Sequence, residues 1–252
     1  ERAQKASVSV PRVSDILRVT RTEGLALGAA GKLHPATVID FDARARYGFS
    51  DHQWKSELGV RVNLGHDRTL RLFALRDYLD ARDVPEVSGV RNTIAAQEFG
   101  SDYTDPFDVR AAGVQLSLGR WARARWRVEA AAEKHAPLAV RATSENGAYE
   151  STIPARAVRG TRVSLHADGA VVSVAGGIMH ANAELRLVHY DRRAARVAVD
   201  AEYERAVAAG TLQMRTVAAA LSGGALPPQM FVYLGGPTTA PGYRFDEFAA
   251  RR

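Results

Sequence analysis

The stretch VIDFDARARYGF, from Val38 to Phe49, alternates apolar and charged residues with a period of two. Successive side chains of a β-strand point to opposite faces of a sheet, so this alternation predicts a strand. The apolar positions are Ile39, Phe41, Ala43, Ala45 and Tyr47, and the charged positions are Asp40, Asp42, Arg44 and Arg46. The predicted strand therefore carries one apolar face and one charged face.

The same alternation recurs along most of the chain. The clearest further examples are GVRVNLG (59–65), GVQLSLG (113–119), WRVEAAAEK (126–134), TRVSLHA (161–167), RVAVDAEYE (196–204) and TLQMRT (211–216). Together with less regular runs, they predict ten or eleven strands of ~8–12 residues separated by short turns. Helical crossovers are missing from the pattern, which favours an all-β, antiparallel up-and-down meander over a parallel α/β sheet.

Two segments interrupt the alternation. In the first, Ala81 to Asp108, the residues Val90, Ile94 and Phe99 recur at helix-like spacing, so we expect a long loop that carries a short helix. The second, Pro137 to Gly160, is polar around Asn146 and predicts an extended loop or hairpin tip. A barrel with short turns at one end and long loops at the other has interruptions of this kind.

Composition and motifs argue against several classes of function. The net charge of +6 comes from 34 Lys and Arg against 28 Asp and Glu, and the cations are dispersed rather than clustered, so we predict no nucleic-acid partner. The chain has no cysteine, which excludes thiol catalysis, disulfides and cysteine-based zinc sites. With no His-Glu-x-x-His and no Gly-x-Ser-x-Gly sequence, we predict no catalytic residue, metal or cofactor. A spanning helix is not expected either, because no run approaches 18 apolar residues.

The alternation alone leaves two kinds of protein open. The charged face is either the solvated surface of a soluble β-protein or the wet lumen of a membrane barrel. Two acidic pairs share strand faces, Asp40 with Asp42 and Glu202 with Glu204, and each pair could act as acid and base in a barrel enzyme. Arginines lie on the same faces, so charge pairing is the simpler interpretation.

The stretch LGGPTTAPGYRF, from Leu234 to Phe245, resembles the signature of the BamA-like superfamily of outer-membrane β-barrels, the bacterial surface antigens. In that family a Gly-Gly pair, a few small residues and a Val/Ile-Arg-Gly-Phe/Tyr sequence form a long loop that folds back into the barrel. The matching residues are Gly235, Gly236, Gly242 and Tyr243; Pro241 occupies the position of the family arginine, and Arg244 is the nearest arginine. By this resemblance we expect an inward loop in which Tyr243 and Phe245 provide apolar anchoring. Arg244 would pair with a lumenal carboxylate, Asp40, Asp42, Glu202 or Glu204.

Two further stretches are similar to the same family. VTRTEGLALGAAG (19–31) resembles an opening barrel strand, and FGSDYTDPFD (99–108) resembles a loop of some relatives. The resemblance implies a transmembrane barrel of roughly sixteen strands, of which this chain holds about ten or eleven. Residues 1–16 would then be a lead-in, and 17–252 an outer-membrane barrel domain that lacks its closing strands.

The function implied by the resemblance is insertion, assembly or translocation of polypeptides at the bacterial outer membrane, without catalysis or cofactor. Expected partners are outer-membrane lipid and client polypeptides or periplasmic domains. Three alternatives remain: a barrel that anchors or exports an attached domain such as an upstream hydrolase, a barrel lipase or protease, and a soluble lipid-binding β-protein.

Overall fold

The computed structural model describes residues 6–7, 17–82, 87–224, 226–236, 242–243 and 247–250, which are mostly β-structure. The strands are β1 (Ala6–Ser7), β2 (Leu17–Thr20), β3 (Gly24–Ala36), β4 (Ile39–Gly48), β5 (Gln53–Gly65), β6 (Arg68–Asp80), β7 (Pro106–Trp121), β8 (Ala124–Ala136), β9 (Val158–Val174), β10 (Gly177–His189), β11 (Arg193–Val207), β12 (Gly210–Gly223), β13 (Val232–Leu234) and β14 (Phe248–Ala250). The described residues also include an α-helix, α1 (Gly89–Phe99), and a 3-10 helix (Pro228–Met230).

Antiparallel pairing between sequence neighbours builds the main sheet. Eleven strands follow one another in the order β1, β3 and then β4 to β12, while β2 also pairs with β3. Strands β13 and β14 form a separate two-stranded sheet. The predicted antiparallel meander of ten or eleven strands is therefore confirmed. Among the described strands the sheet is not closed into a barrel, because β12 pairs with β11 on one edge and with no described strand on the other.

The connections between strands differ at the two ends of the sheet. At one end, which we call the hairpin end, five two-residue turns lie at 37–38, 66–67, 122–123, 175–176 and 208–209. The turns at 66–67, 122–123 and 175–176 hold both residues at positive φ, the type I′ geometry that matches the twist of a hairpin. At the other end, the loop end, lie the connections 49–52, 81–105, 137–157 and 190–192. The two long connections, 81–105 and 137–157, therefore lie at the same end of the sheet, as the sequence pattern predicts.

The cross-strand register separates the side chains into two continuous faces. Leu72 lies opposite Val60 and Val114, whereas its neighbour Arg71 lies opposite Arg61 and Gln115. We call the two sides the aliphatic face and the charged face. On the aliphatic face, large apolar side chains of strands β3 to β7 and β9 to β12 expose 37–62% of their surface: Leu25, Leu27, Leu33, Phe41, Trp54, Leu58, Leu72, Leu118, Val163, Leu185, Leu187, Val197, Val199, Leu212 and Met214.

Most packing occurs on the charged face near the loop end. One apolar cluster contains Phe73, Ala81, Phe107, Val109, Ala111, Ala131 and Ala155, and a second contains Val188, Ala194, Leu226 and Met230. Both clusters are small for a chain of 252 residues. The fold therefore buries its apolar groups locally under the long connections and leaves the aliphatic face open.

Both interruptions of the alternation have the structures expected from the sequence. Helix α1 begins after Ser88, whose side chain accepts a hydrogen bond from the Arg91 N–H, and ends at Gly100 with φ 66°. The connection 137–157 contains neither strand nor helix.

Candidate functional site

The most deeply buried charged group, Glu23, lies in the turn between β2 and β3. Its carboxylate forms ion pairs with Arg18, with Arg46 at 3.0 Å and with Lys55 at 3.1 Å. Burial alone would raise the pKa of Glu23, but the three cations outweigh that effect and lower it to about 2. Glu23 is therefore a fixed negative charge that joins the β2–β3 turn to β4 and β5.

From this point a ladder of alternating charges extends along the charged face. Arg46 pairs with Asp77 at 2.5 Å, and Arg44 pairs with Asp77 at 3.2 Å and with Glu57 at 2.7 Å. Arg71 then joins Glu57 at 2.6 Å to Asp42 at 2.5 Å. Because each carboxylate faces at least one guanidinium, the ladder is a structural network in which Asp42 is already paired.

The other predicted carboxylates occupy the charged face without forming one cluster. Asp40 lies 2.6 Å from Nδ1 of His34. Glu202 and Glu204 lie on β11, where their register partners on β10 are His180 and Ile178. Six strands separate β4 from β11 along the sheet, so the described structure does not bring the two acidic pairs together.

A second polar cluster surrounds Glu133 near the loop end. Arg162 joins Glu133 at 2.9 Å to Glu129 at 2.6 Å. The hydroxyl of Tyr190 donates to Glu133, and Nε2 of His135 lies 3.4 Å from the same carboxylate. Burial raises the pKa of Tyr190, and the adjacent Glu133 charge raises it further, so the phenol remains a hydrogen-bond donor.

The chain after β12 lies across this second cluster. We call residues 226–234 the seated segment. Oε1 of Gln229 accepts from the Arg156 N–H at 2.9 Å, and Nε2 donates to the Arg156 carbonyl at 2.8 Å. The same Nε2 lies 3.3 Å from Nδ1 of His135. Gln229 therefore holds the segment through both ends of its amide group.

Apolar contacts hold the seated segment on either side of Gln229. Leu226 and Met230 pack with Val188 and Ala194 of β10 and β11. Tyr233 packs against the cluster that contains Phe73, and its hydroxyl donates to the Pro228 carbonyl at 2.9 Å. The segment thus runs across the charged face from β10 and β11 to the apolar cluster that contains Phe73.

The glycine-rich stretch continues directly from the seated segment. Gly235 and Gly236 have φ values of 135° and 94°, and Gly242 has 94°, a region that favours glycine. The Gly236 N–H donates to the Tyr243 carbonyl at 3.3 Å, and the Tyr243 ring lies 5.0 Å from that of Phe248. Arg244 and Phe245 lie outside the described residues, so the structure gives no partner for either.

A third polar cluster fixes the helical loop to the β2–β3 turn. The Arg21 N–H donates to Asp102 at 2.7 Å, and the Arg21 guanidinium forms an ion pair with Asp105. Asn92 of α1 donates to Asp102 at 2.9 Å. The FGSDYTDPFD stretch therefore anchors α1 at the loop end.

Three residues at the centre of these contacts, Glu23, Gln229 and Tyr190, were not indicated by the sequence patterns. Glu23 lies in a turn, where alternation carries no information, and Gln229 lies in an irregular segment. Tyr190 is likewise outside any strand. The sequence signal closest to the seated segment is the non-alternating run PPQMFVY (227–233), which breaks the strand pattern immediately before the two glycines.

Two features are absent from the part of the chain that the structure describes. No group of three or more His, Cys, Asp or Glu side chains in these ranges is placed to hold a metal ion. No helix in the same ranges is long and apolar enough to cross a membrane. Comparison with known proteins adds no assignment, because no protein-family model and no curated protein matches the sequence.

Proposed function

We propose that this chain forms the wall of an outer-membrane β-barrel of the BamA-like class, acting in the insertion, assembly or translocation of polypeptides. The observation that carries the proposal is the aliphatic face, where large apolar side chains of nine of the ten strands β3 to β12 are exposed. Water-soluble proteins rarely expose apolar patches beyond a few hundred Å², whereas lipid-facing barrel walls alternate in this way.

Aromatic residues at both ends of the strands support a membrane orientation. Tyr47 and Trp54 are register partners near the loop end, with ring centroids 5.2 Å apart. Trp121 and Trp126 lie at the hairpin end with centroids 5.6 Å apart. Aromatic girdles of this kind flank the apolar band of barrels at the two membrane interfaces. By analogy with such barrels, the short turns would face the periplasm and the long loops the outside.

The charged face then corresponds to a lumen, and the seated segment to a loop folded into it. Ion pairs such as Arg71–Asp42 and Arg162–Glu129 satisfy charges in a wet interior. The seated segment packs on this face and continues into the glycine-rich stretch. Closure of the wall would require a partner for the edge of β12.

The role in polypeptide assembly rests on the first edge of the sheet. Within the described residues, β1 and β2 pair with β3 over two and four residues, much less than the interior strands. A weakly paired edge can exchange partners and accept an incoming strand by β-augmentation. A seam at this edge would therefore be the place where a client strand adds.

Membrane placement is tested with single-cysteine variants, because the chain has no cysteine. The full-length protein carrying Leu72→Cys or Gln115→Cys would be labelled with the dye NBD and reconstituted into bilayers that contain acyl-chain quenchers. We expect strong quenching at position 72 and little at 115. Equal, weak quenching at both positions would overturn the membrane proposal.

The assembly role needs a separate assay. Proteoliposomes with the full-length protein would be given an unfolded eight-stranded barrel, and its heat-resistant folded form followed over time. We expect folding about tenfold faster than in empty liposomes of the same composition, a change equivalent to about 1.4 kcal/mol in barrier height. Equal rates would overturn the assembly role and leave the membrane placement standing.

A further inference from the structure

Four basic side chains form a row across the aliphatic face near the loop end. Arg76 of β6 lies directly opposite Arg110 of β7, Arg110 opposite Lys134 of β8, and Lys134 opposite Arg159 of β9. We call these four residues the basic row. Each lies within five residues of the end of its strand at the loop end.

Apolar layers lie in register below the basic row. Moving two residues toward the hairpin end, the next aligned positions are Ala74, Ala112, Ala132 and Thr161, followed by Leu72, Val114, Ala130 and Val163, and then by Leu70, Leu116, Val128 and Leu165. The row therefore marks the boundary at which the aliphatic face changes from apolar to cationic.

Like charges placed directly opposite one another destabilise a sheet, and neighbouring strands are only about 5 Å apart. One carboxylate, Asp108, lies within ion-pair distance of the row, 3.5 Å from Arg76 and 3.6 Å from Arg110. Asp51 lines the cavity beside these two arginines, but it is paired with Lys55. Among the described residues, Lys134 and Arg159 have no ion pair, and both are exposed. Four cations against one anion leave an excess positive charge that an external anion would neutralise.

In the proposed membrane, the basic row lies at the depth of the lipid headgroups. Arg76 is the register partner of Ser56, two residues from Trp54 in the aromatic pair with Tyr47. Aromatic belts lie at headgroup level, and long basic side chains there extend their charges toward lipid phosphates. At its β6 side the row borders a cavity of about 560 Å³ that is also lined by His52 and Arg141.

We propose that the basic row is a binding site for the phosphate headgroup of an anionic membrane lipid, whose acyl chains lie on the apolar layers below. The exposed guanidinium groups of Arg110 and Arg159 can each donate two parallel hydrogen bonds to phosphate oxygens. Lys134 and the half-buried Arg76, whose Nη2 donates to Gln53, add positive charge. The small side chains of the first layer leave space for the base of the headgroup. This inference rests on the proposed membrane placement.

The test compares two lipids at two positions. NBD would be attached at Ala132→Cys, directly below the row, or at Met214→Cys, on the aliphatic face toward the hairpin end. Each variant of the full-length protein is reconstituted with equal mole fractions of phosphatidylcholine and phosphatidic acid, only one of which carries a quencher on identical acyl chains. We expect the phosphatidic acid to quench position 132 about fivefold more effectively than phosphatidylcholine, and the two lipids to quench position 214 equally.

Charge variants decide whether the row causes the selectivity. In the triple variant R110Q/K134Q/R159Q, the preference at position 132 should disappear. The matched variant R120Q/R123Q/R125Q, which loses three cations at the hairpin end, should retain it. If both lipids quenched position 132 equally in the protein with all four basic residues present, the lipid site would be overturned and the membrane proposal would stand. No quenching at either position by either lipid would instead refute the membrane placement.

Discussion

Glu23 and Lys55 form an ion pair in the interior of the protein, with 3.1 Å between the carboxylate oxygen and Nζ and with 0% and 1% of their side chains exposed. Nζ of Lys55 also lies 2.6 Å from Asp51 and 4.4 Å from the centre of the Tyr78 ring. This site connects the β2–β3 turn, the 49–52 connection and β6. Charges this deeply buried are tolerated when each one is paired.

Glu23→Gln is expected to lower the free energy of unfolding by about 3–5 kcal/mol, because Lys55 and Arg46 lose a buried counter-charge. The measurement is the urea midpoint of the full-length protein in detergent micelles. Glu98→Gln, on the exposed side of α1, is the matched control and should leave the midpoint unchanged. If both variants unfolded like the wild type, the network around Glu23 would have no structural importance.

The stability difference between the wild type and Glu23→Gln should depend on pH. The pKa of Glu23 is lowered from 4.5 to about 2 in the folded protein, so the carboxylate stabilises the fold fully above about pH 4.5. That contribution is lost as the pH falls from about 4.5 toward 2. Denaturation at a series of pH values should give a constant difference from about pH 8 to 6 and a shrinking one below pH 4.5. A difference that grows on acidification would contradict this assignment.

Gln229→Ala should release the seated segment from the charged face, since the substitution removes the two hydrogen bonds to Arg156. Each buried hydrogen bond contributes about 1 kcal/mol or more, so opening should become at least about tenfold more frequent. The measurement is the maleimide labelling rate of a Met230→Cys reporter, which is buried in the wild type. Gln97→Ala, at an exposed position on α1, serves as the control. Equal labelling rates of Met230→Cys in the Gln229→Ala and Gln97→Ala proteins would show that Gln229 does not hold the segment in place.

Ala130→Arg should destabilise the protein in a bilayer by about 2–4 kcal/mol, the cost of a lipid-facing arginine near the midplane of a barrel. Ala130 lies on the aliphatic face opposite Val114 and Val163. Gln115→Arg, on the charged face next to Glu129, should be tolerated. Unfolding in lipid vesicles gives the comparison; similar costs at the two positions would indicate that neither face contacts lipid.

The sequence was sufficient to predict the sheet because alternation is a local property. Val60 and Arg61 point to opposite faces for the same geometric reason in any strand, and pairing with Leu72 and Arg71 extends those faces across the sheet. Another local periodicity, the helix-like spacing of Val90, Ile94 and Phe99, predicted α1. In the structure these three side chains are exposed, and the helix is attached instead through Asn92 and Ala96.

The polar anchors could not be predicted because they depend on distant parts of the chain. Gln229 meets Arg156 and His135 across 73 and 94 residues of sequence, and Arg21 meets Asp105 across 84. Only the three-dimensional path of the loops brings such groups together. The pairing of Asp42 with Arg71 was likewise not specified by the strand face on which the aspartate lies.

Each strand from β4 to β11 pairs only with the strands next to it in the chain, and the five two-residue turns all lie at the hairpin end. A whole hairpin can therefore be gained or lost by duplication or deletion without rerouting the rest of the polypeptide. Chains built on this plan can change the width of the sheet in steps of two strands, while the connections at the loop end diversify independently.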